Sequence, residues 1–215
     1  MSSATSSASK SELSETTQYI AVTPKSGHEP FHAAGRPLGY DLIDFWRWSA
    51  SDLLGNAHRG VLAEYLVARA IGAATGSRTE WDACDLRMAD GTRVEVKSTA
   101  YVQSWAQKKP SAPSFRIAPT RGWDAATNTY AESVCRGADV YVFALLHHPD
   151  KATADPLDAT QWTFYVLGAA VLDERCPTQK TIGLASLLRL GPQRVDYADL
   201  ADAVSKAVTQ RHGSS

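Results

Sequence analysis

Asp85, Glu95 and Lys97 lie close together in the stretch DLRMADGTRVEVKS, residues 85–98, whose outline is that of a β-hairpin. A three-residue loop of Ala89, Asp90 and Gly91 is a favoured connection, because glycine accepts the positive φ of the bulge that closes such a turn. In that register Met88 pairs with Thr92, Arg87 with Arg93, Leu86 with Val94, Asp85 with Glu95 and Cys84 with Val96. One face is then wholly apolar (Cys84, Leu86, Met88, Val94, Val96), and the other carries Asp85, Arg87, Arg93, Glu95 and Lys97. A two-residue turn at Asp90-Gly91 would set Glu95 against Leu86 and mix the faces, so the pattern favours the longer loop. Two carboxylates placed opposite one another repel unless a cation lies between them. Carboxylates are hard oxygen ligands suited to Mg2+, with Mn2+ as a substitute, and the carbonyl of Val96 offers a third oxygen beside Asp85 and Glu95. Lys97 shares the face of Glu95, where an ammonium can orient or help deprotonate a water and stabilise charge on a phosphoryl group. These residue types suit hydrolysis of an unreactive, anionic substrate. The plain structural alternative is a set of ion pairs, Lys97 with Glu95 and Arg87 or Arg93 with Asp85.

The pattern of Asp85, nine intervening residues and then Glu95-Val96-Lys97, with Glu64 in a helical segment upstream, resembles the PD-(D/E)xK nucleases. In that resemblance Asp85 matches the aspartate opening the second core strand, Glu95 and Lys97 match the ExK of the third, and Glu64 matches the acid of the first helix. Gln103 resembles the glutamine that follows the ExK strand in some branches. The proline that names the motif is absent, since Cys84 precedes Asp85. The resemblance implies an α/β, restriction-endonuclease-like fold over residues 55–172: three layers, with a central mixed β-sheet flanked by helices. It also implies Mg2+-dependent cleavage of DNA, double-stranded in preference to RNA, in a setting such as restriction or defence. Cutting both strands needs two active sites or two successive events, and a homodimer is one arrangement that serves. Two other readings compete: a noncatalytic nucleic-acid-binding or structural protein of this fold, and a repair or recombination nuclease that recognises DNA structure.

A helix and a sheet must hold these groups. In NAHRGVLAEYLVARAIG, residues 56–72, Val61, Tyr65 and Ala68 recur at helical spacing, as do Leu62, Leu66 and Ala70. Glu64 sits near Val67, Ala68 and Ile71, so pointed inward it would need a partner to offset desolvation. YDLIDFWRWSASDLL, residues 40–54, reads as a short helix or two turns, with Phe45, Trp46 and Trp48 expected in the core. QSWAQKK, residues 103–109, is expected to extend a polar helix before the PSAP turn, and residues 124–135 to form a second-layer helix. ADVYVFALL (138–146) and WTFYVLGAAVL (162–172) are apolar along much of their length, as strands covered on both faces are. Leu200, Val204 and Val208 mark an amphipathic terminal helix. The order predicts a mixed sheet between helical layers, in one domain over residues 31–215 after a Ser/Thr-rich, flexible tail over residues 1–30.

No run of apolar residues is long enough to span a bilayer, and the N-terminus lacks the hydrophobic segment of a signal peptide, so a cytoplasmic protein without membrane contact is expected. Cys84, Cys135 and Cys176 are isolated and odd in number, which excludes a disulfide scaffold and a CxxC metal pair and suggests buried small hydrophobes. A net charge of -1 excludes a globally polycationic protein, yet residues 93–121 hold six cations (Arg93, Lys97, Lys108, Lys109, Arg116, Arg121) against Glu95 alone. Such a patch can attract a polyanion or be an ordinary solvated face. Trp105, Phe115 and Trp123 are interleaved with it and suit either core packing or base contact. Asp82 fits the hairpin register less well than Asp85. Asp139 suits a cap or turn, and His147 and His148, facing opposite ways on a strand end, suit the surface rather than a shared pocket.

Overall fold

The computed structural model describes residues 22–78, 84–124 and 129–212. An arm comes first: β1 (Pro30–Ala33) and β2 (Arg36–Asp41) form an antiparallel hairpin, and α1 (Leu42–Ala50) follows. A capping box starts α1, the Asp41 carboxylate accepting from Asp44 N–H and the Asp44 carboxylate from Asp41 N–H. Phe45, Trp46 and Trp48 do not enter the core as expected. α1 buries no residue, and Trp48 is 84% exposed. A short helix beside a two-stranded hairpin has too little surface to enclose three large rings, and apolar identity alone does not supply a partner.

The body continues with α2 (Asn56–Ala70), β3 (Leu86–Arg87), β4 (Arg93–Ala100), β5 (Ser114–Arg116), β6 (Thr120–Asp124), β7 (Thr129–Cys135) and β8 (Val140–Leu146). It ends with β9 (Trp162–Gly168), α3 (Ala169–Arg175), β10 (Thr181–Gly183), α4 (Leu184–Arg189), β11 (Gln193–Val195) and α5 (Leu200–His212). The central sheet runs β11-β9-β8-β4-β3, with β4 and β8 parallel and the other pairs antiparallel. Alternation along its strands separates two cores. Val94, Val96, Val140, Val142 and Phe164 face α2 and α5, whereas Tyr141, Phe143, Tyr165 and Leu167 face Phe115, Leu172, Ile182 and Leu187 from the layer of β5, β10, α3 and α4. The result is the expected three-layer α/β fold. β8 is buried along its whole length, as its continuous apolar run requires, and each such large side chain contributes roughly 1.5–3 kcal/mol on burial.

Several local expectations give way. Residues 124–135 are not a helix: β6 and β7 pair as an antiparallel hairpin, and the β-branched and aromatic Thr129, Tyr130 and Val134 suit that conformation. No helix forms over residues 103–109, where Gln103 N–H donates to Gln107 Oε1 and Gln107 Nε2 donates to the carbonyl of Tyr101, local bonds that compete with helical ones. The strand expected over 162–172 ends at Gly168, which caps α3. α2 buries Ala63, Val67 and Ala68, with Leu62, Leu66 and Ala70 packed beside the core, whereas Val61 and Tyr65 are exposed. Cys84 and Cys176 are buried as expected, but Cys135 lies exposed on the β7 hairpin strand. Phe115 is a core residue and Trp105 is half exposed. Among the described residues no helix is long and apolar enough to cross a membrane.

Candidate active site

The hairpin has the register that its pattern of faces demands. Leu86 pairs with Val94 and Arg87 with Arg93, Met88 N–H donates to the carbonyl of Thr92 at 2.9 Å, and Gly91 takes φ +87° in the loop. The ladder then stops. Asp85 does not pair through its backbone but turns its carboxylate to the Val96 amide, which donates to Oδ2 at 2.7 Å. A strand residue's N–H and C=O point to the same edge, so the Val96 carbonyl lies on this edge too. The chain reverses face just before this point: Cys84, expected beside Val96, is buried in the opposite core and contacts the carbonyl of Leu86.

Asp85 and Glu95 converge on one ammonium. Lys97 Nζ lies 2.5 Å from Glu95 Oε1 and 3.7 Å from Asp85 Oδ2, so it occupies the position between the carboxylates at which a cation is required. Burial raises the Glu95 pKa, the Asp85 charge raises it further, and Lys97 only partly opposes them. Burial works against the Lys97 ammonium as well, yet Asp85, Glu95 and then Glu64 outweigh it and hold its pKa above the ordinary lysine value. The two shifts differ in their main cause: burial leads for Glu95, whereas for Lys97 the neighbouring acids overcome burial. Tyr141 is the β8 neighbour of Glu95 in the parallel register, and burial followed by the Glu95 charge pushes its phenol pKa up.

Glu64 reaches the same field from α2, on the flank of the exposed Val61 and Tyr65 rather than in the buried stripe. Its carboxylate is bound by Arg78, Nε to Oε2 at 2.5 Å and Nη2 to Oε1 at 3.2 Å. A cleft of about 440 Å³ opens beside these groups, lined among others by Glu64, Tyr65, Arg69, Arg78, Asp85 and Arg87. Gln103 is placed elsewhere. It is buried past the end of β4, with Oε1 accepting from Arg59 Nη1 at 3.0 Å and Nε2 donating to the carbonyl of Ala100 at 3.1 Å. Asp82 lies outside the described residues.

The six-cation stretch is less available than its composition implied. Arg93 is tied to Asp139 through its backbone amide, Nε and Nη2, and Lys97 is held by the acids; Lys108, Lys109 and Arg116 are exposed. Asp139 thereby fastens the start of β8 to β4. His147 and His148 bond different threonines, Thr163 and Thr153. Arg78 and Tyr141 join the site without having been singled out in the sequence. The only sequence signal for Tyr141 is its place in β8, whose register against β4 is a tertiary fact; Arg78 stands in a loop with no pattern.

Residues 45–184 match the family model described as bacteriophage T4 endonuclease IV, a span that includes Glu64, Asp85, Glu95, Lys97 and Gln103. The chain belongs to that family. As a member of the bacteriophage T4 endonuclease IV family it is a nuclease-family protein, and the matched span runs from α1 to the start of α4. No curated protein matches the chain. Among the described residues no group of three His, Cys, Asp or Glu side chains is placed to hold a metal ion.

Proposed function

We propose that the chain is a metal-dependent endonuclease that hydrolyses DNA phosphodiester bonds at the Asp85–Glu95–Lys97 cluster, with a site of PD-(D/E)xK type. The observation that carries this reading is the convergence of Asp85 and Glu95 on a single cationic position, at an open strand edge beside a cleft. The donors fit Mg2+ or Mn2+: two carboxylates and the Val96 carbonyl are all hard oxygens. Mg2+ commonly takes one or two carboxylates and fills its remaining positions with water and substrate phosphate. A bound ion would supply Lewis acidity toward the phosphodiester and the attacking water.

The chain's own groups divide the remaining work. Asp85 and Glu95 would hold the ion, and Asp85 is itself oriented by the Val96 amide. Lys97, kept protonated by its acidic neighbours, acts as a hydrogen-bond donor that orients water and stabilises charge on the phosphoryl oxygens. Tyr141, kept neutral, offers a second donor beside Glu95. Glu64 extends the acidic field to the cleft rim, and Gln103 fixes the chain where it leaves β4. Preference for double-stranded DNA, a restriction-like or defence role and a homodimer rest on the motif resemblance and on the need for two cuts in a duplex.

The test compares linear duplex, branched and single-stranded DNA with RNA, each in Mg2+, Mn2+ or chelator. The expected result is cleavage of DNA that needs the divalent ion and is lost in Asp85→Asn and Glu95→Gln. Absence of both cleavage and divalent-ion binding would favour the noncatalytic reading, in which Lys97 is simply the counterion of a buried acidic pair.

A further inference from the structure

The arm at residues 22–50 exposes Phe31, Leu38, Tyr40, Phe45, Trp46 and Trp48, and it gives nothing to the interior of the body. Neither core takes a side chain from it, and the first residue along the chain to pack against one is Leu54. Its hydrogen bonds are local. Leu42 N–H donates to the carbonyl of Glu29 and Ile43 N–H to that of Gly27, and none of the bonds described for the arm reaches the body. Phe31 and Tyr40 lie 5.2 Å apart between ring centres across the hairpin, and Phe45 and Trp48 lie 6.5 Å apart on α1. A lone two-stranded hairpin is marginal in water, and a helix of nine residues is too short to hold itself. The arm therefore has to find burial outside the body.

We infer that the arm is the contact surface between two copies of this chain. The area fits. Large aromatic side chains present about 150–250 Å² each, so at their exposures the six leave roughly 600 Å² open. A stable interface covers about 800 Å² on each partner, and the backbone and small groups between the rings supply the difference. The charge fits as well. Lys25, Arg36 and Arg47 are balanced by Glu29, Asp41 and Asp44, so the arm has no net field to draw a polyanion. Residues 1–20 bring only Met1, Leu13, Tyr19 and Ile20 as large apolar groups, too few to cover six. A second copy brings the same rings and the same balanced charges, as a two-fold contact between identical surfaces requires. The inference does not depend on the chemistry assigned to Asp85, Glu95 and Lys97; it adds a definite surface for the homodimer that two cuts in a duplex call for.

Analytical ultracentrifugation of the full chain over a range of micromolar concentrations tests it. The expected mass is that of two chains, falling toward one on dilution. Trp48→Ser is expected to raise the dissociation constant about tenfold, and Phe45→Ser combined with it at least about thirtyfold, as loss of buried aromatic anchors does. Circular dichroism checks that each variant is folded. Tyr130→Ser, on the exposed β7 strand, should leave the dimer as tight as before. A single-chain mass at every concentration would overturn the inference, as would a dimer that the folded double variant forms as tightly as the unmodified chain, or one that Tyr130→Ser alone dissociates. If the unmodified chain is a monomer and the double variant loses affinity for a short DNA duplex, nucleic acid covers the arm and the inference falls. None of these readings involves ion binding or cleavage, so a failure of the proposed function leaves them standing.

Discussion

The two ends of β4 bury polar groups in opposite ways. At its start, Asp85 and Glu95 share the single ammonium of Lys97, Glu64 is paired with Arg78, and the cluster borders a cleft. Beyond its end, Arg59 is 3% exposed and has no carboxylate partner among the described residues: Nη1 donates to Gln103 Oε1 and the carbonyl of Leu54, and Nη2 to Asn56 Oδ1. Gln103 completes that network through Ala100 and Ser111, and among the described residues only Arg59 Nε is a buried side-chain atom left unpaired. The first arrangement is charged, unbalanced and open, the form suited to receiving a ligand. The second is sealed by neutral acceptors and holds loops together. Burial of polar atoms therefore does not by itself mark chemistry; unbalanced charge next to an opening does.

The sharpest way to break the comparison is to remove the acids. Asp85→Ala or Glu95→Ala is expected to lower single-turnover cleavage by about a thousandfold or more while circular dichroism and melting show a folded protein. Collapse of the fold instead would make the open end architectural as well. Next in size is Lys97→Ala, with about a hundredfold loss of cleavage and Mn2+ binding retained, because a donor and not a ligand is gone. Full cleavage by the folded variant would remove Lys97 from the chemistry.

At the sealed end the expected loss is stability. Arg59→Met should cost about 2–4 kcal/mol in urea unfolding, since it strands several buried acceptors, and Gln103→Ala about 1–2 kcal/mol. A hundredfold fall in cleavage by stable Gln103→Ala would move Gln103 to the catalytic end. The smallest effect concerns pH. Because the Glu95 pKa is raised in the fold, its ionised form weakens the metal-free protein near neutrality, and that penalty fades as pH falls through the raised value toward 4.5. Glu95→Gln should therefore be the more stable protein at pH 7.5 and lose that advantage near pH 4.5. Lower stability of the variant at pH 7.5 would show that the pairing with Lys97 outweighs the burial.

What the sequence disclosed was local. The hairpin register followed from a ten-residue pattern of faces and one glycine, and it set Asp85 beside the edge that bears Glu95 and Lys97. The apolar runs of β8 and β9 were equally readable. Where tertiary context decides, the pattern ran out. The α2 stripe turned toward Ala63 and Val67 because the sheet, not the size of Val61 and Tyr65, selected the buried face. Tyr141 met Glu95 through a parallel register between segments far apart in the chain, and Arg93 met Asp139 the same way. Gln103, which resembles in position a glutamine of some PD-(D/E)xK nucleases, found a buried arginine that no spacing announces. The helix expected over residues 103–109 lost to side chains that bonded their own backbone.

Lys97 also bears on how the proposed ion site would be filled. By standing two residues after Glu95, it gives the acidic pair a counterion that is part of the chain, so the fold can be completed without any ion. Metal-nucleated folds collapse on chelation; this one should keep its melting temperature in excess chelator. If the proposed ion site holds, a divalent cation has to displace this resident ammonium before it settles, and its binding to the free protein is then expected to be weak until a phosphate brings further oxygens. On that reading the site would act as a coincidence detector, built but idle until cation and polyanion arrive together.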